Sequence, residues 1–222
     1  MSIYTALIPV RAGSRRIKNK NIQPFGDSNL LIHKIRQLKK VAEIDKIIVS
    51  TDSDEMLQMA VDEGVDIRKR DTKYADDTIT DPHEIISHIV SNCDGEHIMW
   101  IPCVCPLLDS KDYSSIIKKY KELVIDKQIY DSITTARLLK TYIWDKNKPL
   151  NYTLDKHLIS QNLPDWYVIT NGCYMASKEL MLQRKYFLGT KVFLFEVNKI
   201  KSIDIDDEYD LEIARMLYDK YK

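Results

Sequence analysis

Residues 3–24 read I-Y-T-A-L-I-P-V-R-A-G-S-R-R-I-K-N-K-N-I-Q-P. The apolar run 3–9 is short and is stopped by Pro9, the pattern of a buried strand that opens into a loop. The stretch beyond it is polar and basic as far as Pro24. Working outward, Leu30, Leu31, Ile35, Leu38 and Val41 fall at helical spacing, and K-I-I-V-S-T (46–51) predicts a second strand. A helix over 53–63 should stop at Gly64, with a third short strand at 65–67. Pro82 opens a helix through 90, H-I-M-W-I-P (97–102) is a fourth buried strand, and Asp109 or Ser110 caps a helix running to 124. Strand and helix in alternation, with strands lacking clean polar alternation, predict a three-layer α/β/α domain around a mostly parallel sheet. Ligands in such sheets sit beyond the carboxyl ends of the strands. The basic loop, the Ser50-Thr51-Asp52 turn and the segment after Trp100 all emerge there.

The rhythm changes after Asp131. Strand-like D-S-I-T-T-A-R (131–137) leads into a polar excursion, approximately 138–168, with no long helix. Such an insertion is usually functional or packs on a partner. Its aromatics Tyr142, Trp144, Tyr152, Trp166 and Tyr167 suit either a dimer interface or a local core. The chain then returns through N-G-C-Y-M-A, K-V-F-L-F-E-V and K-S-I-D-I-D-D-E-Y-D-L-E-I-A-R as strands, a loop and a C-terminal helix. We read 1–222 as one domain.

The 222 residues carry 33 Lys and Arg against 33 Asp and Glu, which argues against a nucleic-acid binder. No apolar run reaches the ~18 residues that span a bilayer. With no charged stretch and apolar run at the start, we expect no signal peptide, no membrane association and a cytoplasmic location. The four cysteines show no CxxC pair and read as small buried residues. The neutral total conceals segregation. Residues 1–40 hold nine bases against one acid, Asp27, whereas 204–212 hold Asp204, Asp206, Asp207, Glu208, Asp210 and Glu212 with no base. The two regions either meet around a phosphate and its cation or form separate solvated surfaces.

Two segments carry chemistry. Gly13 and Ser14 inside a basic loop can wrap triphosphate oxygens with backbone N–H groups and guanidinium forks. The loop has neither the GxxxxGK[ST] nor the GxGxxG spacing. In S-I-D-I-D, strand geometry would turn Ser202, Asp204 and Asp206 one way and Ile203 and Ile205 into the core. Two carboxylates on one face suit Mg2+, which takes one or two carboxylates plus phosphate oxygens. The competing reading, that Asp206 caps the last helix, leaves Asp204 unexplained.

R-A-G-S-x-x-I-x-x-K-N-I, followed by I-I-V-S-T-D (47–52), R-x-x-x-x-A-x-D-T (70–78), T-N-G-x-Y (170–174) and S-I-D-I-D-x-E-x-D-L (202–211), resembles the CMP–sugar-acid synthetases over nearly the whole chain. These cytidylyltransferases activate sialic-type nonulosonic acids. The resemblance implies a Rossmann-like nucleotidyltransferase fold with a small inserted dimerisation region, and a homodimer. It also implies Mg2+-dependent transfer of CMP from CTP to an acidic sugar, with pyrophosphate leaving. By the same likeness Arg11 and Lys20 hold the phosphates as catalytic groups, and Ala12, Gly13, Ser14, Arg15 and Asn21 complete the nucleotide loop. Arg70 opens the part that surrounds cytidine, Asp204 and Asp206 hold the metal, and Lys140 and Asn171 face the acceptor. Asp81 falls near the base, where a carboxylate could accept from the cytosine amino group. It could equally be the N-cap before Pro82.

The likeness breaks on the acceptor side. Where sialate enzymes carry Q-P-T-S-P-L-R, this chain has P-C-V-C-P-L-L (102–108), with Pro102 for the glutamine and Leu108 for the arginine. A second arginine is missing before N-G, with Ile169 in its place. The acceptor is therefore a sialic, legionaminic or pseudaminic acid, or another anion such as a 3-deoxy-octulosonate or a phosphonate. A non-catalytic nucleotide-binding relative is the remaining alternative.

Overall fold

The computed structural model describes residues 4–76 and 78–221. Ile3 of the first expected strand and Asp77 of the 70–78 motif lie outside the described residues. In chain order the elements are β1 (Tyr4–Pro9), β2 (Pro24–Phe25), β3 (Ser28–Asn29), α1 (Leu30–Leu38), β4 (Lys46–Thr51), α2 (Asp54–Asp62), β5 (Asp66–Lys69) and α3 (Pro82–Ser91). They continue as β6 (His97–Trp100), α4 (Ser110–Tyr120), β7 (Ser132–Leu139), β8 (Trp166–Ser177), α5 (Lys178–Arg184), β9 (Val192–Glu196) and α6 (Glu208–Tyr221).

Seven strands form one sheet in the order β5-β4-β1-β6-β8-β7-β9. All neighbours are parallel except β8, which runs antiparallel to both β6 and β7. Alternation along the strands divides the core in two. Ala6, Ile8, Val49 and Met99 face α1, α2, α4 and α6, while Leu7, Ile48, Ile98 and Trp100 face α3 and α5. The expected three layers result directly from that pleat.

Local chemistry sets the helix starts. Asn29, Ser53, Asp81, Asp109 and Ser177 each accept a backbone N–H of the turn they precede. Asp109, rather than Ser110, caps α4. The helical coil beyond Tyr120 widens into a π-helical stretch, Lys121–Asp126. Strand β5 starts later than 65 because Val65 N–H is spent on Ala60 C=O, closing the end of α2 around Gly64 at φ 69.

One expectation changes and one competing reading falls. The segment S-I-D-I-D starts in a turn at Ser202 and is not a strand of the sheet. Both ladder groups of Ile205 are used elsewhere: its N–H donates to Val104 C=O at 2.9 Å and its C=O accepts from Lys20 Nζ at 2.7 Å. The cap of α6 is Asp207, whose Oδ1 accepts Asp210 N–H at 3.0 Å, so Asp206 is released from that duty.

The excursion leaves the sheet between β7 and β8. Asn151, buried, ties its base by accepting Ile143 N–H and donating to Thr141 C=O. Tyr142, Trp144, Tyr152 and His157 form a small cluster with Trp144 Nε1 donating to Tyr152 Oη at 2.7 Å. A local core therefore exists, yet Leu154 and Ile159 stay 70% and 57% exposed, and Tyr167, Val168 and Ile169 are exposed as well.

Candidate active site

The carboxyl ends of β1, β4, β5 and β6 lie at one edge, and two clefts open there. The first, of about 480 Å³, is lined by Arg11, Lys20, Asn21 and Arg70 together with Asn171, Asp204 and Asp206. Its floor is apolar, from Ile85, Ile86 and Ile89 of α3 with Trp100 and Pro102. The second, of about 460 Å³, shares Arg11 and Ala75 with it and is lined by Ala12, Gly13 and Arg15. Ser14 is half-buried in the same loop and lines neither.

The loop after β1 is held from beneath. Asp52 Oδ1 accepts Ala12 N–H at 2.9 Å, and Gly13 takes the left-handed conformation at φ 69 that lets the chain turn. Asn21, buried, donates to Arg11 C=O at 3.2 Å, and Arg11 donates to Ala75 C=O at 2.8 Å. Arg70 is almost fully buried and donates to Val10 C=O at 2.6 Å, while its Nε has no partner. Burial pushes its pKa down to about 10, against the pull of Asp52. Of these, Asp52 was not among the candidates from sequence, although it ends the I-I-V-S-T-D motif.

The acidic segment comes back to this loop. Lys20 Nζ bonds to Ile205 C=O between the two aspartates, and burial lowers its pKa while Asp206 and Asp204 raise it. Arg16 pairs with Asp206 at 2.5 Å. Asn171 donates to Asp204 Oδ2 at 2.5 Å and accepts from Tyr174 Oη at 2.6 Å, so Tyr174 fixes the amide that holds the carboxylate. Asp204 Oδ1 is buried with no hydrogen-bond partner. Burial raises the Asp204 pKa, and Asp206 raises it further. Among the described residues no group of three or more His, Cys, Asp or Glu gathers for a metal. Two carboxylates, one with a bare buried oxygen, are nevertheless the donor set Mg2+ takes when phosphates supply the rest.

Other candidate positions sit apart from this centre. Asp81 Oδ1 accepts His83 N–H at 2.8 Å as the cap of α3, and Asp81 lines neither cleft. Lys140 lies off the cleft, bonded to Leu163 C=O at 2.5 Å and paired with Asp165. Leu108 is fully buried and packs where a Cβ on Gly172 would come within 2.2 Å of it. Only Pro102, of the three altered acceptor positions, lines the cleft.

The basic loop and the acidic segment thus meet at one cleft. Residues 5–221 match the family model described as Cytidylyltransferase. The chain belongs to that family. An N-acylneuraminate cytidylyltransferase of Escherichia coli O18:K1:H7 (strain RS218 / NMEC) is 28% identical over 97% of this chain and 52% of its own. The post-translational flagellin modification protein B of Campylobacter coli is 26% identical over 98% and 95%. A pseudaminic acid cytidylyltransferase of Campylobacter jejuni subsp. jejuni serotype O:23/36 (strain 81-176) is 24% identical over 96% and 94%. This cytidylyltransferase thus spans about half of the first relative and nearly all of the other two. In fold it matches a CMP:2-keto-3-deoxy-manno-octonic acid synthetase solved with CTP, at TM-score 0.73 and 12% identity over 100% of both chains. A 4-diphosphocytidyl-2C-methyl-D-erythritol synthase from Anaerococcus prevotii DSM 20548 matches at 0.69 and 15% identity over 98% and 96%.

Proposed function

We propose that this cytidylyltransferase moves CMP from CTP to a hydroxyl of a nonulosonic sugar acid and releases pyrophosphate, for surface glycan biosynthesis. The observation that carries this reading is the meeting of Lys20 with Ile205, which brings the triphosphate loop against Asp204 and Asp206. The loop Arg11–Arg15, with Lys20 and Asn21, receives the phosphates, and Arg11 and Lys20 stabilise charge on the departing pyrophosphate. Arg70 braces that loop beside the nucleoside. Asp81 is left with its capping duty, since it lines neither cleft.

Asp204 and Asp206 would hold Mg2+. When bound, the ion supplies neutralisation of phosphate charge and lowers the pKa of a coordinated hydroxyl. The chain's own part is to keep Asp204 oriented through Asn171 and Tyr174, and to hold Lys20 beside both carboxylates.

The acceptor wall is less polar than the likeness to sialate enzymes implied, with Pro102 on the cleft and Lys140 acting through the arm it braces. The name of the pseudaminic acid cytidylyltransferase, matched over 94% of its length, supports a pseudaminic-type acid over ordinary sialate. The exposed apolar groups of the arm support a homodimer. No described helix is long and apolar enough to cross a membrane, which is compatible with work in the cytoplasm.

Pyrophosphate release from each of the four nucleoside triphosphates, with Mg2+ and a panel of sialic, legionaminic, pseudaminic, 3-deoxy-octulosonic and phosphonate acceptors, tests the reading. CTP-specific release with a nonulosonic acid is the expected result. Release with only an octulosonate or a phosphonate would move the assignment to that acceptor. CTP binding without release from any acceptor would overturn it in favour of a non-catalytic relative.

A further inference from the structure

Lys34 lies on α1, outside both clefts, and is completely buried. Among the described residues no carboxylate pairs with it. Its ammonium donates instead to Cys105 C=O at 2.9 Å and to Tyr113 Oη at 2.7 Å, and stands 5.0 Å from the centre of the Tyr113 ring. A buried cation without a counter-ion is costly to desolvate. That cost is what makes its two partners informative.

Each partner leads to Asp204. Cys105 follows Val104, whose C=O accepts the N–H of Ile205, the residue between Asp204 and Asp206. Tyr113 Oη reaches Gly172 C=O at 3.5 Å, and Gly172 adjoins Asn171, whose amide holds Asp204 Oδ2. Helix α1 reinforces the first route, since His33 and Gln37 both bond to Pro106 C=O, at 3.1 and 2.8 Å. Three side chains of one helix thereby grip two consecutive carbonyls of the 102–108 loop.

We propose that Lys34 is a positioning residue for Asp204: one ammonium, set beneath the sheet edge, ties the 102–108 loop and β8 together where both hold the acidic segment. The proposal rests on the assignment of Asp204 to the reaction. Burial lowers the Lys34 pKa to about 8, so the cation is retained at neutral pH. The groups facing it are the thiols Cys103, Cys105 and Cys173, Tyr113, Asp112 on α4 and His33 on α1. Burial pushes the Cys103 thiol up to about 12 and raises Cys105, Cys173 and Tyr113 as well, leaving these neighbours neutral. The His33 pKa falls to about 4, chiefly by burial and then by the charge of Lys34, so that ring is neutral too.

The test pairs Lys34→Met with Tyr113→Phe and reads amide hydrogen exchange on the ligand-free protein beside steady-state kinetics with CTP. In Lys34→Met, exchange at 171–173 and at Ile205 should accelerate while β4 and β5 keep wild-type rates. Its kcat should fall about tenfold or more, as small misplacements of a reacting group cause, with the KM for CTP held within about threefold. Tyr113→Phe should show the same pattern more weakly, and it decides the matter if Lys34→Met does not fold. Wild-type exchange at Ile205 in a folded variant overturns the proposal. So does acceleration spread evenly over the sheet, with kcat falling only as the folded fraction falls. The exchange readout needs no turnover, so a wild-type chain inactive with CTP would remove the functional reading and leave the tie to Asp204 separately decided.

Discussion

The Arg16 guanidinium sits 2.5 Å from the Asp206 carboxylate, across 190 residues of sequence. Both side chains are about half exposed, so the pair adds little to the fold. On the proposed metal assignment, Arg16 is the cation that a divalent ion at Asp206 would displace. Arg16→Gln should leave stability within about 1 kcal/mol of wild type. It should also lower the Mg2+ concentration that half-saturates pyrophosphate release. A Mg2+ titration of both proteins checks this, and a higher requirement in the variant would mean that Arg16 holds Asp206 in place for the metal.

Asp204 should separate activity from stability. Burial raises its pKa, so the folded chain binds the proton more tightly than the unfolded chain does. The stabilising effect of that proton is present at low pH. It is lost as pH climbs from the unfolded value, about 3.9, through the raised folded one. Asp204→Asn should therefore raise the metal-free Tm at pH 7, with the gain shrinking as the pH approaches 4. In the same variant turnover should drop about a hundredfold or more. Thermal melts across pH, with kcat measured alongside, read both effects, and near-normal activity would sink the metal assignment.

Gly172 is sterically required. A Cβ there would stand 2.2 Å from Leu108 Cδ1 and 2.9 Å from Thr135 Oγ1. Gly172→Ala should cost about 1–3 kcal/mol as an overpacked core position. Adding Leu108→Ala should recover part of the loss, because the two sites share one space. Urea unfolding of the single and double variants measures that coupling.

The arm should carry the dimer contact. Leu154 and Ile159 are its most exposed large apolar groups. Replacing both with Asp should shift light-scattering mass from dimer to monomer without lowering the Tm of the domain. Wild-type protein that is already monomeric at micromolar concentration would rule the interface out.

Much of this architecture was readable in advance because local chemistry and tertiary packing agree. The apolar runs at β1, β4 and β6 gave the sheet, and Asp81 and Asp109 announced their helices through capping. The S-I-D-I-D alternation was informative about which way the side chains point, but it misled about the element. No periodicity could reveal that Lys20 and Val104 take both backbone groups of Ile205. That the cap is Asp207, and not the Asp206 of the competing reading, was hidden for a related reason: several neighbouring acids could each have served, and the backbone turn chooses. Asp52 beneath Ala12, Tyr174 beside Asn171 and the buried Lys34 depend on contacts across 40, 3 and 71 residues. Only the second lay within reach of sequence spacing.

Strand β8 serves two masters of different tolerance. Its far end, Trp166–Ile169, pairs only with β7 and carries the arm, while Asn171 a turn of the pleat later meets Asp204. Within the strand, length is rationed: with Tyr174–Ser177 anchored on β6, one added residue between 166 and 170 would turn Trp166–Ile169 to the opposite side of the sheet. At the exposed turn 145–148 the same insertion costs little more than loop closure. The frame can therefore be refitted with arms of different length and chemistry, and so with different partners, without disturbing the residue that grips the carboxylate.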